Sequence, residues 1–172
     1  YIEWSADLRE IGDRAFEGCA LTGVSLPNSV TRIGAGCFAG CSEMIDIILP
    51  RGVTVIPDEV CRQCTSLAFA YFSDGVTEIG SDAFAGCAAL YMIDLPAGLC
   101  KVGSTPLAGC ANLTEIYMHA GMKQADGAIL TQTSKPTIHF IGTMDEWAAV
   151  EKINDWDPDL KVVCSDGTVN DR

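Results

Sequence analysis

At 172 residues the chain has room for one domain, and its formal charge of −12 and pI near 4.3 exclude the Lys/Arg footprint that nucleic-acid phosphates require. The same charge disfavours an anionic membrane surface, and no apolar run reaches the roughly 18 residues of a spanning helix, so neither nucleic acid nor membrane insertion is expected. Hydrophobic residues make up 48% of the chain but aromatics only 8%, which calls for a core of aliphatic, alanine and cysteine side chains.

The chain opens inside a repeating unit. Residues 2–12 align with residues 24–34, and no cationic leader followed by an apolar stretch is visible, so the sequence reads as the C-terminal fragment of a longer array. A nine-residue block, Ile-Gly-x-x-Ala-Phe-x-Gly-Cys, occupies residues 11–19, 33–41 (with Cys37 in the Ala position) and 79–87, with degenerate copies at 56–64 and 102–110. Its first residues, Ile11, Ile33, Ile56, Ile79 and Val102, are 22 residues and then 23 residues apart. A period in that range marks stacked supersecondary units, a solenoid.

Between blocks comes an apolar triplet spaced L-x-x-V-x-L: Leu21/Val24/Leu26, Met44/Ile47/Leu49, Leu67/Ala70/Phe72, Leu90/Ile93/Leu95 and Leu113/Ile116/Met118. Alternation at its last two positions predicts a short strand, ended by Pro27, Pro50 and Pro96 because proline cannot donate to a ladder. A second apolar pair follows (Val30/Ile33, Val53/Ile56, Val76/Ile79, Leu99/Val102), and the glycine-to-cysteine block is then expected to return the chain through a tight helical or 3₁₀ turn. Gly34, Gly80 and Gly103 suit a turn that needs either positive φ or close backbone approach. One unit cannot bury its apolar face alone. Stacked at about 4.8 Å, neighbours place like over like. Phe16, Phe38 and Phe84 are expected to share one column with Cys61 and Leu107, and Cys19, Cys41, Cys64, Cys87 and Cys110 another.

These residues resemble the BspA-type (Treponema pallidum-type) leucine-rich repeat, over about residues 1–119. The segment Thr-Ile-His-Phe-Ile-Gly-Thr-Met-Asp-Glu-Trp at 137–147 is similar to the one that often closes such arrays. The resemblance implies an α/β repeat solenoid: a right-handed leucine-rich-repeat coil with a parallel β-sheet on its concave face and short strands or helical turns elsewhere. It also implies a bacterial or protist protein, at the cell surface or secreted, used in adhesion or host contact. It brings no shared catalytic residues. The block at 56–64, lacking both Gly and Phe, and the block at 102–110, with Pro106 and Leu107, depart from it.

Beyond five repeat units at 1–119, residues 120–172 are expected to form an irregular half-repeat and a C-terminal cap. Residues 120–135 break the motif and read as a loop or half-repeat, and residues 137–141 as a further strand of the main sheet. Thr143 and Glu146 make a capping box, predicting a helix from Met144 to about Lys152. Residues 160–164 alternate as a last strand, followed by an Asp166-Gly167 turn. A solenoid end exposes raw core and strand edges, so Trp147, Ile153 and Trp156 are assigned to covering it.

Of the nine cysteines, the repeat cysteines are read as a row of buried free thiols rather than a disulfide framework. Cys61-Arg62-Gln63-Cys64 has redox or zinc spacing, but repeat register explains both side chains and no second C-x-x-C exists. Asp155, Asp157, Asp159 and Asp166 have the offsets of a calcium loop, yet Leu160 stands where glycine is needed. A solvated acidic loop accounts for them. His119 and His139 fall near outward strand positions; two imidazoles without a carboxylate make a weak metal site. The Asn112-Leu113-Thr114 sequon has its central residue in the repeat core. Hence no catalytic, cofactor or metal residue is assigned, and the chain is not read as an enzyme.

The functional signal lies on outward strand positions. They form two rows: Gly23, Asp46, Phe69, Met92, Glu115, and Ser25, Ile48, Tyr71, Asp94, Tyr117, His139. Ile48, Phe69, Tyr71, Met92 and Tyr117 are expected to merge into one patch that binds a protein or other host or cell-surface macromolecule. Cross-strand packing that merely supports the sheet explains the same residues equally well. Two readings follow for an expected monomer: a binding or adhesion module, or a structural spacer without a ligand of its own.

Overall fold

The computed structural model describes residues 2–170. In it the chain winds into stacked coils, and seven parallel strands follow one another in sequence order. These are Gly23–Ser25, Asp46–Ile48, Phe69–Tyr71, Met92–Asp94, Glu115–His119, Thr137–Ile141 and Val162–Cys164. Register aligns equivalent residues: Val24 faces Ile47 and Ile47 faces Ala70, while Ile93, Ile116, Ile138 and Val162 form the same row further on. The hydrogen-bonded ladder is interrupted once, between Phe69–Tyr71 and Met92–Asp94, which remain neighbours. The last strand, Gly167–Val169, turns back antiparallel on Val162–Cys164 and covers that edge.

A second face carries shorter parallel pairs: Glu10–Ile11 with Arg32–Ile33, then Val55–Ile56, Glu78–Ile79 and Lys101–Val102, then Gln124–Asp126 with Glu151–Ile153. Between the two faces Pro27, Pro50 and Pro96 do more than end strands. Their carbonyls accept from the amides of Val30, Val53 and Leu99 at 3.0–3.1 Å, closing the turn at each corner.

The third face differs in kind from the helical turn predicted. Each glycine-to-cysteine block is a run of overlapping turns in which every second amide bonds three residues back (Glu17 to Arg14, Cys19 to Phe16). The alternate amides cross to the next coil instead: Arg14 to Ala35, Phe16 to Cys37, Gly18 to Ala39. The same set recurs from Gly36, Phe38 and Gly40 onward, so this face is laterally bonded like a sheet although no residue in it is a strand. The left-handed positions are Arg14, Gly36, Glu59, Asp82 and Thr105, and again Gly18, Gly40, Gln63, Gly86 and Gly109.

Gly34, Gly80 and Gly103 are not among them. Their role is close approach. A Cβ on Gly34 would lie 2.3 Å from the Asp13 nitrogen, and one on Gly80 would lie 2.5 Å from the Asp58 nitrogen. The residue after the glycine is anchored to that same neighbour: Asp13 Oδ1 accepts from the Ala35 amide at 2.9 Å and Asp58 Oδ1 from the Ser81 amide at 2.7 Å.

Inside, the columns are apolar throughout, and among the described residues no polar or charged side chain is buried. Phe38, Cys61, Phe84 and Leu107 are fully enclosed in their shared row, with Phe16 half-buried and stacked on Phe38 at 5.6 Å. Where Cys61 and Ala70 are small, the larger Phe72 approaches Phe84, ring centroids 6.4 Å apart. Each such side chain contributes roughly 1.5–3 kcal/mol on leaving water, a gain a coil realises only between neighbours.

The coil continues beyond residue 119. In residues 120–135, read as a loop or half-repeat, Gln124–Asp126 is a strand and Gly127–Leu130 a 3₁₀ turn capped by Asp126, with Met122, Ala125 and Ile129 buried. The residue types of the block change after residue 119 while the stacking runs on. The capping box is present, Thr143 Oγ1 accepting from the Glu146 amide and Glu146 from the Thr143 amide. Its helix, Met144–Ala149, ends three residues earlier than expected, because Glu151–Ile153 pairs with Gln124–Asp126 and extends Val150. Trp147 is buried against Phe140 at 5.3 Å and Trp156 at 5.6 Å, whereas Ile153 is half-buried outside that ring cluster. Lys152 stands opposite Ala125, an inward position. Its ammonium lies 4.2 Å from the Trp147 ring centre and donates to the carbonyls of Trp147 and Val150, and burial lowers its pKa. The two carbonyls and the ring give this half-buried ammonium the partners its desolvation requires.

Candidate functional site

The strand period places alternate side chains of the main sheet outside the core, and parallel register sets them in rows. Gly23, Asp46 and Phe69 form one row, Ser25, Ile48 and Tyr71 the other; past the interruption these continue as Met92, Glu115 and Thr137 and as Asp94, Tyr117 and His139. Ile48 is 45% exposed and Tyr71 53%, whereas Phe69, Met92 and Tyr117 are half-buried among their neighbours.

The five residues singled out from sequence fall into two groups. Phe69 lies parallel to Tyr71, ring centroids 6.1 Å apart, with Ile48 paired to Tyr71 on the adjacent strand. Tyr91 stands edge-on to Phe69 at 5.4 Å and is 40% exposed. Tyr117 belongs elsewhere: it stacks on His139 at 4.8 Å, and Asp94 separates it from Tyr71 along the row. Met92 is the one link between the groups, on the row of Phe69 and Glu115.

Tyr91 is the residue that sequence reasoning missed. It precedes its strand, at the position held by Thr22, Ile45, Ala68 and Thr114 in other coils, so period-two alternation does not mark it as outward. The signal available was the exposed bulk of Ile45 and Tyr91 in a row otherwise small or polar; Ile45 is 51% exposed.

The charged part of the face is acidic with two imidazoles. His119 Nε2 lies 2.6 Å from Asp94 Oδ1, and His139 Nε2 contacts Glu115 Oε2. Each histidine therefore has a carboxylate that its sequence neighbours do not reveal, because partners sit on adjacent coils 24 or 25 positions away. Among the described residues no three His, Cys, Asp or Glu side chains are grouped to hold a metal. In the acidic loop, Asp157 pairs with Lys135 at 2.9 Å, which holds its carboxyl below the usual range, and Asp166 accepts from the Met144 amide at the helix start.

The cysteine row is a bonding device. Cys41 Sγ donates to the Phe16 carbonyl, Cys64 to Phe38 and Cys87 to Cys61, each at 3.1 Å, and Cys110 to Phe84 at 3.3 Å. Each of those carbonyls also accepts the amide of its own coil's cysteine, so the thiol fills the second lone pair. Burial pushes Cys37 and Cys110 up to about 12, Cys41 up to about 11, and Cys61 and Cys87 upward as well. Cys64 differs: its hydrogen bond with Cys61 lowers its pKa although the side chain is fully enclosed, and the C-x-x-C at 61–64 lies within the packed columns.

The sequence profile of the BspA type leucine rich repeat region matches residues 1–91 and 55–147, with 6 copies. A leucine rich repeat protein of T. pallidum superposes with a TM-score of 0.67 at 30% identity, over 79% of this chain and 68% of that one. A leucine rich cell surface protein of Faecalibacterium prausnitzii shares the fold with a TM-score of 0.51 at 22% identity, over 86% of this chain and 55% of that one. The chain thus spans little more than half of that second protein. No curated protein matches it. Periodic columns, laterally bonded turns and a sequence profile covering most of the coils agree, and the chain belongs to the BspA-type leucine-rich-repeat family.

Proposed function

We propose that the chain is a non-catalytic recognition module of a cell-surface or secreted protein, binding a macromolecule on the outer face of its main sheet. The observation that carries this reading is the group Ile48, Phe69, Tyr71 and Tyr91. These apolar and aromatic side chains stand outside a core that is already complete without them. Exposed apolar groups of this kind mark interaction sites, and tyrosine offers rigid contact area with a polar tip. Met92 and Tyr117 extend the surface toward the acidic half. The surface location is supported by the F. prausnitzii relative, described as a leucine rich cell surface protein.

Beads coated with the chain, and with a Phe69→Ser/Tyr71→Ser variant of unchanged circular dichroism, are compared for adhesion to cultured epithelial cells and immobilised matrix proteins. Loss of adhesion in the variant alone supports the reading. Equal adhesion by both places recognition elsewhere, and adhesion by neither favours a spacer whose rings only brace the sheet.

A further inference from the structure

The outer face of the main sheet has a charge to match its rings. From Gly23–Ser25 through Thr137–Ile141 its strands carry no lysine or arginine; the ionisable residues there are Asp46, Asp94, Glu115, His119 and His139. Asp46 is opposite Phe69 on one side of the aromatic group, and Asp94 follows Tyr71 along its row on the other. Among the described residues Asp46 makes no hydrogen bond or ion pair, and its carboxylate leans over Gly23, where a Cβ would lie 2.7 Å from Oδ1. A stack of rings between carboxylates, in a chain of net charge −12, repels anionic ligands.

We infer that the occupant of this face is an extended basic polypeptide segment whose arginines lie over Phe69, Tyr71 and Tyr91 and pair with Asp46 and Asp94. The inference rests on the recognition reading above and names its partner class. A guanidinium stacks on an aromatic face and forks onto a carboxylate at once, so one side chain uses both features. A neutral sugar would use the rings and leave the field idle. Two strand spacings of about 5 Å and an offset of two residues along the strand, about 7 Å, put Asp46 and Asp94 about 12 Å apart, and four residues of extended chain span about 13 Å. Arginines at i and i+4, which share one face of an extended segment, therefore reach both acids when the segment crosses the strands diagonally. His119 and His139 hold Asp94 and Glu115 in place from the far side.

The test uses fluorescence anisotropy with a twelve-residue peptide bearing arginine at every fourth position, its glutamate counterpart, and cellohexaose as competitor. The arginine peptide is expected to bind with affinity falling as salt rises, and the glutamate peptide not at all. Tyr71→Ser is expected to weaken binding about three- to tenfold, and Asp46→Asn/Asp94→Asn about tenfold or more. Asp155→Asn/Asp159→Asn removes the same charge from the far loop and is expected to change affinity less than twofold. Equal losses in the two double variants overturn the inference, since total charge alone would then be acting. Binding of cellohexaose that Phe69→Ser abolishes, with no arginine preference, also overturns it but leaves recognition by this face standing. Absence of arginine-peptide binding by a folded chain overturns it as well, and the adhesion comparison then judges the face independently.

Discussion

Gly80→Ala tests a close contact between neighbouring coils. A methyl there would sit 2.5 Å from the Asp58 nitrogen and Oδ1 and 2.7 Å from the Pro57 carbonyl carbon, against 3.4 Å where ordinary contact begins. Two of these atoms are backbone, so the clash is relieved only by separating neighbouring coils by about 1 Å, and overpacking of that kind costs about 1–3 kcal/mol. The same separation stretches three bonds: Gly80 amide to Ile56 carbonyl at 2.8 Å, Ser81 amide to Asp58 Oδ1 at 2.7 Å, and Glu59 amide to Ser81 carbonyl at 2.9 Å. Losing two of them adds about 1 kcal/mol each, for a total near 3–5 kcal/mol. Gly12→Ala is the control at the same repeat position: nothing lies within 4 Å of its Cβ, and its expected effect is within about 0.5 kcal/mol. Urea unfolding followed by far-ultraviolet circular dichroism reads the difference, a midpoint lower by about 2 M for Gly80→Ala at a slope of about 2 kcal/mol/M. Midpoints for the two variants within 0.5 M of each other, an interval of about 1 kcal/mol at that slope, would refute the close-approach argument.

Cys64→Ala removes a buried side chain and the donor to the Phe38 carbonyl, and is expected to cost about 2 kcal/mol in the same urea assay. Brief alkylation at pH 8 with mass-spectrometric readout should label Cys100, the exposed thiol, first and Cys19 more slowly, with the enclosed cysteines modified only in denaturant. Stability should also fall in alkali. Burial raises Cys37, Cys41 and Cys110 from 9.0 to about 11–12, so above pH 9 the unfolded chain sheds protons that the folded chain keeps. Their contribution is complete below pH 9 and is lost as pH climbs toward 11–12, at about 1 kcal/mol per pH unit for each thiol. Flat stability between pH 8 and 10.5 would contradict it. Thr143→Ala breaks the capping box and should lower stability by about 1 kcal/mol, with faster amide exchange confined to residues 144–149.

The sequence exposes what repeats and conceals what is made between coils. Spacing of 23 residues is enough to stack Ile56 on Ile79 and Ile79 on Val102, because a parallel register one coil long admits no other alignment of the apolar set. The same spacing persists at Leu99 and Met122, Val102 and Ala125, and Leu107 and Leu130. There the residue types leave the motif, and a reading keyed to Gly-x-x-Ala-Phe does not decide between a loop and a half-repeat. The helix end was concealed for a related reason. Residues 150–153 have helical composition, and only the availability of Gln124–Asp126 as a pairing edge makes them extended.

For the candidate face the limits have the same origin. Alternation identifies which strand residues point outward, so Ile48, Phe69, Tyr71, Met92 and Tyr117 could be named in advance. Whether they touch depends on the side chain one coil away. Asp94 stands between Tyr71 and Tyr117, and Tyr91 enters from a position outside the alternation. The division that results is chemically meaningful. Asp46 is unpaired beside the rings, Asp94 meets His119 through Oδ1, and Glu115 meets His139 beyond them, so the acids that flank the aromatic surface are Asp46 and Asp94. A partner that needed only apolar contact would bind anywhere along Ile48 to Tyr117. One that carries positive charge is held between Asp46 and Asp94, and exchange of Asp46 rather than Glu115 is the substitution that separates those two kinds of recognition.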